Sequence, residues 1–203
     1  KAQFCKMMKK IEKSTILQPD SSRRHFITGL ASSVTGALLL PAAPSAIASV
    51  ASSGHQTGRS LNFYHTHTGE KLAIDYHDGT DYVAGALAEI NHYMRDFRTD
   101  ESHPIDADLL DLLYQIKTAT GHNGTFEVIS GYRSPKTNAK LRNKSNGVAK
   151  RSLHMQGKAI DVRLTGFDTR QLHKAAKKLA RGGVGYYQKS NFIHVDTGRV
   201  RYW

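Results

Sequence analysis

The sequence has very little cysteine. Its one cysteine is Cys5, close to the start of a chain of 203 residues. Residues 49–203 therefore cannot form a disulfide bond or supply thiolate ligands, so a metal ion bound there must rely on histidine and carboxylate side chains. A region of this length has to be stabilised by its own core.

Acidic residues are also in the minority, with 17 Asp and Glu against 29 Lys and Arg and a formal net charge of +12. Seven of the basic and two of the acidic residues lie in 1–48, which leaves +7 for residues 49–203. A basic surface favours polyanionic partners. Because no helix-turn-helix signature or aromatic-rich RNA motif accompanies the charge, we predict no nucleic-acid binding. A polyanion-binding structural protein remains an alternative that rests on charge alone.

Residues 1–48 have the order of an export signal. The pair Arg23-Arg24 precedes Phe26-Ile27, an apolar stretch that ends at Leu40, and the small residues of Ala46-Ile47-Ala48. This order predicts a secretory signal that is cleaved after Ala48. The paired arginines resemble the twin-arginine signal, which implies the twin-arginine translocase as a partner during export and a periplasmic protein.

Long uninterrupted apolar runs are absent from the leader, because glycine, serine and threonine dilute its apolar stretch. Such a segment makes a poor transmembrane helix. We expect no stable membrane insertion after cleavage, with an uncleaved membrane anchor as the alternative. Residues 49–59 are rich in Ser, Gly and Thr and predict a flexible linker, and residues 60–203 predict one domain.

Hydrophobic periodicity in residues 60–203 predicts an α+β fold. The predicted strands are 61–66 and 71–76, joined by a hairpin turn, then 126–130, 158–164, 184–187 and 192–197. The predicted helices are 81–97, 106–121 and 168–181, with a polar loop at 134–152 that contains at most a short helix. Helices and strands do not alternate regularly, which favours the α+β class.

The segment 152–161 contains residues that can bind a metal. His154 precedes a bend that Gly157 makes possible, and Asp161 lies on the strand that follows. The small residue Ala159 shares a strand face with Asp161 and leaves room beside it. This local geometry can bring an imidazole and a carboxylate together.

A second segment, 192–196, alternates apolar and polar residues. His194 and Asp196 therefore share one face of a strand. Together with the first segment, the chain offers two histidines and a carboxylate, which suffice for a catalytic zinc with its fourth position left open.

The motif SxHxxGxAxD at 152–161, followed by a later histidine on a strand, resembles the zinc peptidase superfamily of D-Ala-D-Ala carboxypeptidases, vancomycin-resistance dipeptidases and murein endopeptidases. The segment SGYRSP at 130–135 is similar to the SGYRS segment of that superfamily, and residues 192–203 resemble its twin-arginine-exported murein endopeptidase branch. The resemblance covers about residues 60–203. It implies a hedgehog-type fold, with N-terminal helices packed on a small, mainly antiparallel sheet that carries one zinc ion.

The resemblance also assigns roles to individual residues. His154, Asp161 and His194 fall on the three zinc-ligand positions, and Arg133 falls on an arginine that contacts substrate and polarises the scissile carbonyl. A guanidinium suits both tasks because its donors form a fixed fork. The implied activity is zinc-dependent hydrolysis of peptidoglycan cross-links, with diaminopimelate-containing stem peptides as substrate, during wall growth or remodelling.

One position departs from the better-known members, which carry Glu or Asp as general base three residues before the last histidine. The residue here is Asn191, whose amide cannot take up a proton. Asp196 is the nearest replacement and our candidate catalytic residue. As the base it would accept a proton, whereas in a supporting role it would accept a hydrogen bond from a metal-bound histidine.

Two other functions stay open. A D,D- or L,D-carboxypeptidase would use the same metal chemistry, and a non-catalytic, zinc-containing wall-binding domain would explain Asn191. His65 and His67 form a further His-x-His pair, which we predict to be exposed hairpin residues rather than metal ligands.

Overall fold

A computed structural model describes residues 58–145 and 147–203. The predicted signal at 1–48 and almost all of the predicted linker at 49–59 lie outside the described residues. Within the described ranges, none of the helices combines the length and the apolar character that crossing a membrane requires.

The described residues form a mixed sheet of seven strands. The strands are β1 (Arg59–His65), β2 (Lys71–His77), β3 (Phe126–Ser130), β4 (Ala159–Leu164), β5 (Gly183–Tyr187), β6 (Phe192–Asp196) and β7 (Arg201–Tyr202). Their order across the sheet is β2-β1-β3-β4-β6-β5-β7. Neighbouring strands are antiparallel except for the parallel pairs β1–β3 and β5–β7. This confirms the predicted α+β class with a mainly antiparallel sheet.

Helices flank this sheet in the described part of the chain: α1 (Ala84–Tyr93), α2 (Ala107–Thr120), α3 (Pro135–Lys144) and α4 (Thr169–Leu179). The side chains of Asp106, Ser134 and Asp168 accept hydrogen bonds from backbone N–H groups in the first turns of α2, α3 and α4. Such caps satisfy donors that have no partner inside the helix. The local sequence therefore determines where these three helices begin.

The structure differs from the predicted elements in several places. Helix α1 is shorter than the predicted 81–97. Helix α3 has ten residues inside the predicted polar loop, and it escapes a periodicity search because its buried residues are the polar Thr137 and Asn138. The short strand β7 and a 3₁₀ helix at Leu153–Gln156 were also not predicted. Elements of two to four residues are too short to show a periodic pattern.

The two faces of strands β4 and β6 have different environments. Alternate side chains point to opposite faces of a sheet. On one face, the side chains of β4 and β6 pack in the hydrophobic core with buried residues of α2 and α4. These strand residues are Ile160, Val162, Ile193 and Val195. The opposite face carries Ala159 and Asp161, which pair directly with Asp196 and His194. The candidate metal-binding residues therefore lie on the face of the sheet that is turned away from these core side chains.

Gly157 joins the 3₁₀ helix to the sheet. Its φ of 65° lies in the left-handed region, and a side chain at this position would collide with the carbonyl oxygen of Pro104. The carbonyl oxygen of Gly157 accepts the backbone N–H of Asp106 at 3.0 Å. Only glycine tolerates both the conformation and the close approach, so this residue fixes the position of the segment that carries His154.

The prediction that His65 is exposed is wrong. His65 is buried, with only 1% of its surface exposed, whereas His67 is exposed. The Nδ1 atom of His65 accepts the backbone N–H groups of His67 and Thr68, each at 3.3 Å. The ring therefore stabilises the turn between β1 and β2, and neither histidine belongs to the metal-binding group found among the described residues.

Candidate metal centre

Three side chains from separate parts of the fold meet on the polar face of the sheet. Strand β4 supplies Asp161 and β6 supplies His194, and these two residues are direct partners in the antiparallel pair. His154 comes from the 3₁₀ helix Leu153–Gln156. Its Nε2 lies 3.3 Å from Asp161 Oδ1 and 3.3 Å from His194 Nδ1, and the latter two atoms are 2.9 Å apart. The structure thus brings the three predicted ligand residues together.

These spacings suit a tetrahedral zinc ion. With zinc–ligand bonds of about 2.0–2.1 Å, neighbouring ligand atoms of a tetrahedron lie about 3.3 Å apart. The three separations of 2.9–3.3 Å are close to that edge length. A single ion can therefore contact all three atoms, with one further coordination position left for another ligand.

Hydrogen bonds on the side of each ring away from Asp161 determine the tautomers of His154 and His194. Nδ1 of His154 lies 2.8 Å from the carbonyl oxygen of Gly131, which can only accept, so Nδ1 carries the hydrogen. Nε2 of His194 lies 2.9 Å from Asp196 Oδ2 and donates there in the same way. Each ring then turns a lone pair toward Asp161. Two lone pairs and a carboxylate oxygen facing one another are stable only around a cation or a proton, so the donor set fits a metal ion.

The electrostatics of the three residues are strongly coupled. Burial lowers the pKa of His154. Burial would raise the pKa of the Asp161 carboxyl, but attraction to His154 and His194 holds it well below its usual range. Burial would lower the pKa of His194, but hydrogen bonds to Asp161 and Asp196 outweigh it and raise the pKa to about 9. A proton and a metal ion therefore compete for the same nitrogen of His194.

Asp196 lies behind His194 and is fully buried. Its Oδ1 accepts from the backbone N–H groups of Gly183 and Gly198 at 3.1 and 2.9 Å, and from Arg201 Nη1 at 3.0 Å. Its Oδ2 accepts from Arg201 Nη2 at 2.7 Å and from His194 Nε2. Burial would raise the pKa of this carboxyl, but the bonds to His194 and Arg201 hold it well below its usual range. Both oxygens are occupied by donors on the side of His194 remote from the ligand atoms.

Arg133 lies beside Asp161. Its Nη2 is 3.3 Å from Asp161 Oδ2 and 3.1 Å from Ser130 Oγ. The side chain is 10% exposed, and burial lowers the pKa of the guanidinium. Within the described ranges its Nε is buried without a hydrogen-bond partner. The backbone N–H of the next residue, Ser134, is held by the buried carboxylate of Asp96 at 2.9 Å. A cation that is firmly placed but incompletely hydrogen-bonded is suited to receive an oxygen of a ligand.

The three ligand residues and Arg133 line one cleft of about 500 Å³. Its remaining lining includes Arg151, from the segment before the 3₁₀ helix, and a group of aromatic residues: Tyr187, Phe192 and Trp203. Among the residues that the structure describes, Asp161 is the only carboxylate in this lining. The cleft therefore presents a cationic and aromatic surface around the metal-binding group.

Asn191 does not line the cleft. It is exposed and has a φ of 51°, at the turn between a 3₁₀ helix (Gln188–Ser190) and β6. Asparagine adopts this left-handed conformation more readily than most residues. Asn191, at the position where other members carry the base, therefore forms the turn that leads into β6.

Sequence reasoning missed four residues that support the site: Gly183, Gly198, Arg201 and Trp203. Gly183 lies between the predicted helix 168–181 and the predicted strand 184–187, and a side chain there would collide with Asp196 and Arg201. The alternation of Arg201 and Trp203 was the available signal for a last strand with one functional face. Their contacts depend on the parallel pairing of β7 with β5, which one sequence does not reveal.

Comparisons with known proteins agree with this geometry. They place the chain in the zinc peptidase superfamily, in its murein endopeptidase branch, and the three-residue site agrees with this class. The family described as peptidoglycan L,D-endopeptidase MepK matches residues 53–203, and the chain belongs to this family. Both the predicted branch and the predicted peptidase class are confirmed by this match.

Two relatives show how far the similarity extends. Peptidoglycan L,D-endopeptidase MepK of Escherichia coli (strain K12) is 39% identical over 184 residues, which are 91% of this chain and 98% of the relative. Probable peptidoglycan L,D-endopeptidase MepK of Haemophilus influenzae (strain ATCC 51907 / DSM 11121 / KW20 / Rd) is 45% identical over 146 residues, 71% of this chain and 78% of the relative. The match to the family model, over residues 53–203, includes every residue that lines the described cleft.

Proposed function

We propose that this protein hydrolyses L,D-peptide bonds in peptidoglycan cross-links with one zinc ion bound by His154, Asp161 and His194. The observation that carries the proposal is the convergence of their ligand atoms, 2.9–3.3 Å apart, in an open cleft. The family model that matches the residues of the cleft is described as peptidoglycan L,D-endopeptidase, and the Escherichia coli relative has the same name. When bound there, zinc supplies a Lewis acid that polarises a carbonyl and lowers the pKa of water toward about 7.

Arg133 is proposed to bind the substrate carbonyl. Its guanidinium is held beside Asp161 in the same cleft, so a carbonyl oxygen brought to the metal-binding group comes within reach of a cationic donor. Negative charge develops on that oxygen as the amide is attacked, and a fixed donor stabilises the charge more than it stabilises the ground state. The same fork of donors binds a substrate carboxylate equally well.

Asp196 is proposed to orient His194 rather than to act as the base. A base has to accept a proton from the reacting water, whereas both oxygens of Asp196 already accept hydrogen bonds and its pKa is lowered. The contact with Nε2 of His194 fixes the ring and keeps Nδ1 available to a metal. This arrangement favours the supporting role of the two that the sequence left open.

The site of action follows from the substrate. Peptidoglycan lies outside the cytoplasmic membrane, so the protein must act in the periplasm or outside the cell. The Arg23-Arg24 leader supports export by the twin-arginine translocase, with cleavage after Ala48. The partners that the proposal requires are peptidoglycan stem peptides and, during export, the translocase.

The proposed reaction is tested by incubating the purified protein with muropeptide dimers that carry a single L,D cross-link. We expect monomers to appear, their release to fall at least about hundredfold after treatment with a chelator, and added zinc to restore it. Dimers with a D,D cross-link serve as the matched control for bond preference. Release of a single terminal amino acid would instead identify a carboxypeptidase. A protein that retains zinc and yields no product would be a wall-binding domain.

Changing Arg133 to Lys tests the carbonyl-binding role. Lysine keeps the positive charge but loses the forked donor geometry, so we expect kcat/KM to fall about tenfold while the zinc content stays that of the wild type. Arg142→Lys, an exposed position on α3, is the matched control. An unchanged kcat/KM in the Arg133 variant would remove this residue from the reaction.

A further inference from the structure

Trp203 forms part of the cleft that contains the metal-binding group. It is the one tryptophan of the chain, and 49% of its surface is exposed. The centroid of its ring lies 5.3 Å from that of the His194 ring. A single exposed aromatic residue needs no functional explanation by itself. The reason to propose one here is the way in which the ring is held.

Hydrogen bonds fix both the backbone and the edge of the indole. The backbone N–H of Trp203 donates to the carbonyl of Val184 at 3.3 Å, and its carbonyl accepts from Tyr186 at 3.0 Å. The indole Nε1–H donates to the hydroxyl of Tyr187 at 3.1 Å. An exposed side chain in solution normally samples several rotamers. These bonds restrict the indole to one orientation beside the metal-binding group.

The strand beneath the ring is shaped to receive it. Gly185 in β5 is the direct strand partner of His194. A Cβ atom at Gly185 would collide with the Cε2 and Nε1 atoms of the indole. The absence of a side chain at this position therefore gives the ring its place next to the histidine.

The neighbourhood of the ring restricts what it can bind. The guanidinium of Arg201 lies 5.1 Å from the indole centroid and already occupies a cation–π position. A second cation there would be repelled, so the ring is a poor site for a ligand ammonium group. The ligand groups that the ring can still bind are flat or aliphatic and uncharged. In a peptide these are the amide planes and the methyl or methylene groups beside them.

We propose that Trp203 is a substrate-binding subsite that packs against the amide plane and adjoining aliphatic carbons of the stem-peptide residue next to the scissile bond. This inference rests on the proposed endopeptidase function. A group that touches the indole lies within one residue of the metal-binding group, because the two rings are 5.3 Å apart. The sugars of the glycan strand are separated from the cross-link by several stem-peptide residues, so the peptide is the part that reaches this ring.

Since no other tryptophan is present, tryptophan emission reports on this subsite directly. The full zinc-loaded protein is mixed rapidly with the L,D-linked dimer, and emission is recorded before the first turnover. A saturable change in emission intensity or wavelength is expected as the indole loses contact with water. An emission spectrum that stays constant at dimer concentrations above KM would overturn the subsite.

Steady-state kinetics give the second readout. In Trp203→Leu, which removes the flat ring, KM for the dimer is expected to rise about tenfold, and in Trp203→Phe about threefold. In both variants kcat and the zinc content are expected to stay within about twofold of wild type. The indole ring neither coordinates the metal nor takes part in proton transfer. Tyr202→Leu, at the neighbouring exposed aromatic position, is the matched control and is expected to leave KM unchanged.

The outcomes separate this inference from the proposed reaction. An unchanged KM in Trp203→Leu overturns the subsite even if the wild-type protein cleaves the dimer. A saturable emission change in a wild-type protein that yields no monomers upholds the subsite and overturns the endopeptidase. A fall in kcat or zinc content with constant KM would show that Trp203 only supports His194, and would also overturn the subsite.

Discussion

Replacing His154 with alanine is expected to abolish zinc binding and to lower turnover of peptidoglycan cross-links about thousandfold. The physical reason is that Lewis-acid catalysis contributes several kcal/mol to the transition state, and each 1.4 kcal/mol corresponds to about tenfold in rate. His154 Nε2 is 3.3 Å from both other ligand atoms. Because alanine offers no ligand atom, the metal-binding group is left with two residues, Asp161 and His194.

The measurement combines elemental analysis with the dimer assay. Wild-type protein should contain one zinc per chain, and the His154→Ala variant almost none. His92→Ala, at an exposed position on α1, controls for the loss of an imidazole elsewhere. Far-ultraviolet circular dichroism should show the same helix and strand content in all three proteins. If the His154 variant retained both zinc and turnover, the metal would have to be bound elsewhere.

Most of the fold was predictable because its elements have strong local signals. Asp106 and Asp168 begin helices with apolar residues at helical spacing, and the alternation in β6 predicted that His194 and Asp196 share a face. These signals depend on residues within a few positions of one another. The helix α3 was underestimated because its sequence is almost entirely polar, and only the Ser134-Pro135 start marks it.

The candidate site was predictable to a smaller extent. The motif at 152–161 identified ligand residues by resemblance, but it did not show that Asp161 and His194 are direct strand partners. The donors around Asp196 come from the turn and short strand that follow it, at Gly198 and Arg201, and from Gly183 on the neighbouring strand β5. The pairing of Asp161 with His194, and the position of β5 and β7 beside β6, are properties of the folded sheet. For that reason the choice between the two roles of Asp196 needed the structure.

Asp196→Asn is expected to weaken zinc binding about 10- to 100-fold, while kcat at saturating zinc stays within a few-fold of the wild type. The amide keeps the shape of the carboxylate but offers only one accepting oxygen. Its NH₂ group must then face a donor, either His194 Nε2–H or the Arg201 guanidinium. Repulsion between donors disturbs the ring or its protonation, so Nδ1 becomes a weaker ligand. Zinc affinity is measured by competition with a chromophoric chelator.

A general base would produce the opposite pattern, with zinc affinity preserved and kcat at saturating zinc reduced more than about hundredfold. Asparagine is preferred to alanine, because removal of the whole carboxylate leaves the partly buried Arg201 unpaired and is expected to cost about 3–5 kcal/mol of folding free energy. Asp75→Asn, an exposed position on β2, controls for the loss of one charge. Since both oxygens of Asp196 are occupied by donors behind the metal-binding group, loss of affinity rather than loss of kcat is the result that this geometry requires.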